Sequence, residues 1–192
     1  MSKYITFNQI IEIIKTHIFT VCPIFIVGIL IFAGVITNDV GSVIYSAVAV
    51  IIYFFAVYNK AYDTAKRDMK SFTPEQPYPL KGLLLPVGII VLSIIIYILY
   101  FVSWRFMSID GTIVRVSGWI NNFLFIIWSF PYTGFMELKN GYMSLSGHLL
   151  LYIVPIVASF LGYFAGYKNY DITVTFSKFV FVKKNQDDKN EK

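Results

Sequence analysis

This chain has long stretches without a charged residue, and four of them, which are almost entirely apolar, constrain the fold more than any other feature. They cover residues 18–36, 43–58, 83–104 and 149–167. A helix of about 20 apolar residues spans the roughly 30 Å hydrocarbon core of a bilayer. Only 14% of the residues are charged, against about 25% in soluble domains. The sequence therefore predicts an all-α integral membrane protein with four transmembrane helices.

The four stretches place the spans at about 18–36, 42–58, 83–104 and 148–167, within one membrane domain over residues 18–167. The polar segments between and beyond them are too short for a second globular domain. Residues 1–17 have apolar side chains on one side of a helical projection and polar ones on the other, which predicts an amphipathic helix in the membrane interface. Residues 168–192 form a basic tail.

The segment 118–130 is hydrophobic but short, and it carries Asn121 and Asn122. Its tryptophans and phenylalanines are typical of a membrane interface. Pro131 is expected to end the helix. We expect an interfacial or re-entrant helix in the outer leaflet, and a fifth span is the alternative.

The distribution of lysine and arginine indicates the orientation. With four spans and both termini in the cytoplasm, 13 of the 16 basic residues lie on the cytoplasmic side and three lie outside. Cytoplasmic loops of membrane proteins carry such an excess of basic residues. Five spans would place the basic tail outside and fit this rule less well. The net charge of +5 is therefore attributed to topology, and no partner nucleic acid is expected.

The sequence offers little evidence of catalysis. The predicted spans contain no Asp, Glu, Lys or Arg, whereas a charged residue inside a span commonly marks a functional site. The two histidines, His17 and His148, fall at the ends of predicted spans on opposite membrane faces, so they are not expected to share a metal. Cys22 is expected to be a buried, inert thiol. No metal, cofactor or enzymatic activity is predicted.

One polar cluster follows the second span. Asp63 and Arg67 are four residues apart, as are Lys66 and Lys70, so a helix would place each pair on one face. A solvated, ion-paired helix end is the simplest interpretation. The functional interpretation is a contact for a partner subunit or an anionic lipid headgroup. This candidate contact comprises Asp63, Lys66, Arg67, Asp68 and Lys70, and an enzyme acting on headgroups would use Asp63 and Asp68 as its carboxylates.

Three small residues recur at every fourth position of the last span: Ala158, Gly162 and Gly166. Small side chains let two helices approach closely in a membrane. We expect this ridge to pack against another helix.

Two groups of residues resemble a known class of protein. One is Ala61-Tyr62-Asp63, Lys66-Arg67-Asp68 and Lys81-Gly82-Leu83, followed by an apolar span. The other is Pro155, Gly162-Tyr163 and Gly166-Tyr167-Lys168. Together they resemble small, uncharacterised polytopic membrane proteins of low-GC Gram-positive bacteria, over about half the chain. The resemblance implies a bacterial plasma membrane and four packed spans, and it transfers no catalytic residue.

These observations favour a non-enzymatic membrane protein, an accessory or scaffold subunit of a plasma-membrane assembly with a membrane-protein partner or a second copy of itself. The alternative is a small transporter or channel for a neutral or lipid-like solute. Proline inside the first and last spans and the re-entrant segment favour that alternative.

Overall fold

The computed structural model describes residues 7–34, 39–70, 77–106, 112–136 and 145–170. These residues form helices and short connections, with no strand among them. Four helices are long and apolar enough to cross a membrane, which confirms the predicted all-helical class with four candidate spans: Phe7–Leu30, Val40–Asp68, Lys81–Arg105 and Gly147–Tyr167.

The first helix, α1, is continuous from Phe7 to Gly34. The boundary predicted at residue 17, between an interfacial helix and a span, is absent. Thr16 and Thr20 each donate a side-chain hydrogen bond to the carbonyl four residues earlier, so the helix continues through this point. Whether its first turns lie in a membrane interface stays a prediction.

Helix α2 runs from Asp39 to Asp68 and lies antiparallel to α1. It continues about two and a half turns beyond the predicted end of the second span, through the first half of the polar loop. With a rise of about 1.5 Å per residue, α1 and α2 are each more than 40 Å long, which exceeds the hydrocarbon thickness of a bilayer. Part of each helix therefore has to lie beyond that core.

The third candidate span has two parts. A short helix, α3, covers Lys81–Leu84, and α4 covers Val87–Phe106. Pro86 lies between the two helices. The helix is interrupted there because proline has no N–H to donate to the preceding turn. Its carbonyl accepts a hydrogen bond from the amide of Ile90, so α4 starts at once.

The segment after α4 is the least regular. Helix α5 covers Thr112–Ser129, and a 3-10 helix follows over Phe130–Phe135. Pro131 occupies the first turn of the 3-10 helix, so the α-helix ends where the sequence predicts. We call α5 and the 3-10 helix together the hairpin.

Helix α6 covers Leu145–Tyr167 and packs along α2. The two helices run parallel, because Gly162 lies against Tyr58 and Gly166 against Tyr62. The start of α1 and the end of α6 lie at the same end of the bundle, where both contact Asp68. We call this the Asp68 end and the opposite one the Asp39 end. The described part of the tail stops at residue 170, so the rest of the predicted tail lies outside the described residues.

Candidate functional site at the tip of the hairpin

Helix α5 runs from the Asp39 end toward the middle of the bundle, antiparallel to α4. Midway along it, Asn121 donates a hydrogen bond to Ser103. One turn deeper, Phe125 stacks on Tyr100 with 4.4 Å between the ring centroids. At the end of the helix the indole nitrogen of Trp128 donates to the Ser93 hydroxyl at 2.7 Å. These contacts follow α4 from Ser103 through Tyr100 to Ser93, so α5 lies along α4 as far as Ser93.

The chain then reverses its direction. The Tyr132 ring meets Tyr53 of α2 edge to face, with centroids 5.9 Å apart. Two residues later the amide of Gly134 donates to Ser46 Oγ at 2.7 Å, about two turns of α2 nearer the Asp39 end. The backbone contact is so close that a Cβ on Gly134 would lie 2.2 Å from the Ser42 carbonyl oxygen. The hairpin therefore enters the bundle and turns back within it.

The tip of the hairpin contacts a buried histidine. His17 of α1 is 1% exposed, and the centroid of its ring is 4.1 Å from that of Trp128. Its Nδ1 is 2.8 Å from the hydroxyl of Tyr53, which is also fully buried. Helices α1, α2 and α5 thus meet around one imidazole. Helix α4 is connected to it indirectly, through the Ser93 hydroxyl that binds Trp128. We call His17, Tyr53, Ser93, Trp128 and Tyr132 the central site.

Two polar atoms of the central site are buried without a hydrogen bond of standard geometry, although one of them, the Tyr132 hydroxyl, lies near that of Tyr53. His17 Nε2 and the Tyr132 hydroxyl make no hydrogen bond of standard geometry with any described residue. Most buried polar atoms in proteins have a partner, so each exception calls for an explanation. In a membrane-spanning bundle, such atoms mark places where water, a proton or a solute can be bound.

The central site lies near the middle of three candidate spans. Ser93 is the central residue of Lys81–Arg105, and Tyr53 and His17 lie within two residues of the centres of their own spans. The candidate span on α1 begins at Phe7, so His17 lies inside it by length and composition, whereas its predicted place at a membrane interface stays a prediction. Glu12 and Lys15 suggested the boundary, but α1 begins ten residues before His17.

A second polar cluster lies at the Asp68 end. Lys81 Nζ and Asp68 Oδ2 form an ion pair at 2.6 Å, with side-chain exposures of 0% and 1%. The Tyr163 hydroxyl donates to the same oxygen at 2.9 Å, and Gln9 Nε2 donates to Oδ1 at 2.8 Å. Because these four side chains come from α1, α2, α3 and α6, one carboxylate links four helices. We call this cluster the Asp68 latch.

A more exposed ion-pair network lies beside the latch. Glu12 accepts two hydrogen bonds from the guanidinium of Arg67, at 2.7 and 3.1 Å, and forms an ion pair with Lys60 at 3.1 Å. These side chains are one third or more exposed, and pairs of this kind contribute little to stability. Their effect is to fix the register between the start of α1 and the end of α2.

The structure separates the residues of the predicted partner or headgroup contact. Asp63 and Lys70 are exposed, and Lys66 is half-buried with its ammonium 4.9 Å from the Tyr62 ring centroid. Arg67 binds Glu12, and Asp68 belongs to the latch. Asp68 is therefore not a surface contact. Asp63 and Asp68 differ in exposure and lie on different sides of α2, which does not favour the alternative of a two-carboxylate enzyme.

The predicted small-residue ridge faces α2 of the same chain. Ala158 is fully buried. A Cβ on Gly162 would lie 2.2 Å from the Tyr58 carbonyl oxygen, and one on Gly166 would lie 2.6 Å from that of Tyr62. The ridge is thus occupied within the chain. Cys22, expected to be buried, is exposed on the outer surface of the bundle.

An apolar groove of about 580 Å³ runs between α1 and α2 on the outside of the bundle. Ile24 and Ala49 form its buried floor, whereas Val27, Ile44 and Val48 are half-exposed along its sides. Among the described residues, no group of three or more His, Cys, Asp or Glu side chains is arranged to hold a metal ion.

Comparisons with protein-family models, with curated proteins and with solved structures give no match to this chain. Its function therefore has to be inferred from the central site, the latch and the groove.

Proposed function

We propose that the hairpin is a re-entrant element in a four-span membrane protein, entering from the outer face and turning back at the central site. The fold supports this proposal, because α5 and the 3-10 helix follow α4 inward and α2 outward. Non-helical backbone at membrane depth is tolerated only where protein buries it or where it lines a water-filled cavity. Phe130, Pro131 and Tyr132 meet this condition, since all three are buried.

The orientation follows from charge. We place the Asp68 end in the cytoplasm of a bacterium, because residues 60–81 and the tail after α6 together hold 11 of the 16 basic residues. Both termini are then cytoplasmic, since the start of α1 and the end of α6 lie at the Asp68 end.

The function that this geometry supports best is a small transporter or channel for a neutral or lipid-like solute. One observation carries the proposal: the broken helix at the tip of the hairpin meets two buried polar atoms without a hydrogen bond of standard geometry, His17 Nε2 and the Tyr132 hydroxyl, which lies near that of Tyr53. Transporters often bind their substrates near the bilayer midplane, beside interrupted helices. The central site combines such an interruption with aromatic rings and hydrogen-bonding groups, which suits a small neutral solute.

The latch supplies the second requirement of a transport cycle, a barrier on one side of the site. In this conformation the Asp68 latch joins four helices between the central site and the proposed cytoplasm. Opening that side requires the separation of a buried ion pair, and fully dry charges separate only if water or another partner replaces them. The described conformation is therefore closed toward the cytoplasm.

Solute flux through the purified protein tests the proposal. In osmotic swelling of proteoliposomes with neutral polyols, amides and sugars, together with a lipid-scrambling assay, we expect at least one probe to cross several-fold faster than in empty liposomes. Trp128→Ala should change that rate, because it removes the side chain that joins the hairpin to His17 and Ser93. Trp119→Ala is the matched control, since Trp119 lies on the same helix with 70% of its surface exposed. Equal rates in empty and protein-containing liposomes for every probe would contradict the proposal.

An accessory subunit is the second candidate, and the apolar groove between α1 and α2 favours it. The groove is lined by side chains from two helices and offers a concave surface to another apolar segment. Absence of flux, combined with a second protein retained at equal stoichiometry after purification from native membranes in mild detergent, would favour this function over transport.

A further inference from the structure

His17 is a buried titratable group, and it takes part in neither the Asp68 latch nor the surface ion pairs. It is 1% exposed, one ring nitrogen contacts the Tyr53 hydroxyl, and the other makes no hydrogen bond of standard geometry with any described residue. A buried charge without a counter-ion is strongly unfavourable. The imidazole is therefore neutral in this conformation.

The neighbours of His17 show why no counter-ion is present. Helix α2 presents Tyr53, α5 presents Trp128, and the 3-10 helix adds Tyr132 behind Tyr53. The Ser93 hydroxyl of α4 accepts from Trp128 and donates to the carbonyl of Ile89. Within the described part of the chain, the ion pairs do not include His17.

The nearest charges on α1 itself are engaged or face elsewhere. Glu12 is held by Lys60 and Arg67, and Lys15 is exposed on a different side of the helix. A protonated His17 would thus have no carboxylate beside it in this conformation. Besides the backbone of Trp128, which lies beside the ring, water is the partner that could stabilise the imidazolium.

We propose that His17 binds a proton when the tip of the hairpin moves away from α1 and water reaches the ring, so that a proton is the coupling ion of this protein. The proton comes from bulk water and forms an N–H bond on the unprotonated ring nitrogen. The imidazolium then donates from both nitrogens, to the Tyr53 oxygen and to water. No electrons are transferred. The coupling to transport rests on the proposed function, whereas proton binding by His17 does not.

Linkage fixes the direction of the effect. The closed conformation accommodates only the neutral imidazole of His17, whereas the hydrated conformation accommodates both the imidazole and the imidazolium. Protonation therefore favours the hydrated conformation. A solvated imidazole takes up its proton near pH ~6.5. The ratio of hydrated to closed protein should rise up to about tenfold for each pH unit below that value, until the closed form also protonates. Above it, pH should have no effect through this group.

The contact between Trp128 and His17 provides a readout, because the emission of an indole changes when it leaves a buried ring contact and meets water. The chain has three tryptophans, and the other two, Trp104 and Trp119, are exposed. In the Trp104→Phe/Trp119→Phe background, reconstituted in nanodiscs, we expect Trp128 emission to shift sigmoidally to longer wavelength between pH 8 and pH 4. His17→Gln should abolish the transition, and His148→Gln should leave it intact.

The native side chain can also be followed without any variant. The chain has two histidines, so protein labelled with ¹⁵N-histidine gives two sets of imidazole signals. We expect one set to titrate together with the change in Trp128 emission, and this set belongs to His17. The proposal would be overturned if the His17 signals did not change between pH 8 and pH 4. It would also be overturned if the Trp128 transition persisted in His17→Gln.

The two proposals fail in different ways. A His17 titration without flux of any probe would remove the transport function but keep the proton site. Flux that is independent of pH, without a His17 titration, would keep transport and remove the proton as its coupling ion.

Discussion

Asp68→Asn is expected to cost about 3–5 kcal/mol of the free energy of unfolding, the largest effect of any single polar substitution that we predict. The variant keeps the shape of the side chain but leaves the ammonium of Lys81, which is 0% exposed, without its counter-ion. Unfolding in mixed micelles by titration with SDS measures the loss. Lys81→Met should give a loss of similar size, because it leaves the carboxylate buried without its ammonium partner.

The controls separate the latch from a general effect of charge. Asp63→Asn changes the same residue type on the same helix at an exposed position, and it should stay within about 0.5 kcal/mol of wild type. The double variant Asp68→Asn/Lys81→Met should lose less than the sum of the two single losses, because it leaves no unpaired buried charge. A loss for Asp68→Asn no larger than that for Asp63→Asn would show that the ion pair does not hold the four helices together.

Gly162→Leu is expected to prevent close packing of α6 on α2 and to cost about 3 kcal/mol or more. A Cβ at this position would lie 2.2 Å from the carbonyl oxygen of Tyr58, and a backbone atom cannot move aside as a flexible side chain can. We expect a large drop in the yield of monodisperse protein by size-exclusion chromatography, together with a lower midpoint of thermal unfolding. Gly162→Ala should show a smaller effect in the same direction.

Leu161→Phe is the matched control for the ridge. It adds volume at the neighbouring residue, which is 43% exposed on the outside of the bundle, and it should leave both readouts close to wild type. If Gly162→Leu instead gave stable protein that only lost a bound partner, the ridge would be an intermolecular surface and its packing on α2 would be refuted.

Much of this fold follows from local sequence signals. The charge-free stretches locate all four candidate spans, and Pro131 marks the end of α5. The spacing of the small residues in α6 predicts that this face packs closely against a helix. It does not identify α2 as the neighbour, because periodicity reports a face of one helix and carries no information about its partner.

The central site and the latch could not be predicted in the same way. His17 looks like the end of a span because Glu12 and Lys15 precede it, whereas α1 is continuous from Phe7 and Glu12 is paired with Lys60 and Arg67. The ion pair of the latch joins residues on either side of a proline-rich loop. Helical spacing relates residues three or four apart, so it connects Asp68 with its neighbours on α2 and not with Lys81.

The central claim, that the hairpin enters and leaves through the same face of the membrane, is tested most directly by cysteine labelling. In a Cys22→Ser background, single cysteines replace Asp110 and Asn140, two positions outside the described residues that flank the hairpin. Lys66→Cys, in the basic segment of α2, marks the cytoplasmic side. A membrane-impermeant maleimide is applied to intact cells and then to permeabilised cells.

We predict that the cysteines at positions 110 and 140 both react in intact cells and that the cysteine at position 66 reacts only after permeabilisation. Labelling of positions 110 and 140 from opposite sides would mean that residues 118–130 cross the bilayer. That result would contradict the re-entrant hairpin, and with it the placement of the central site at its tip.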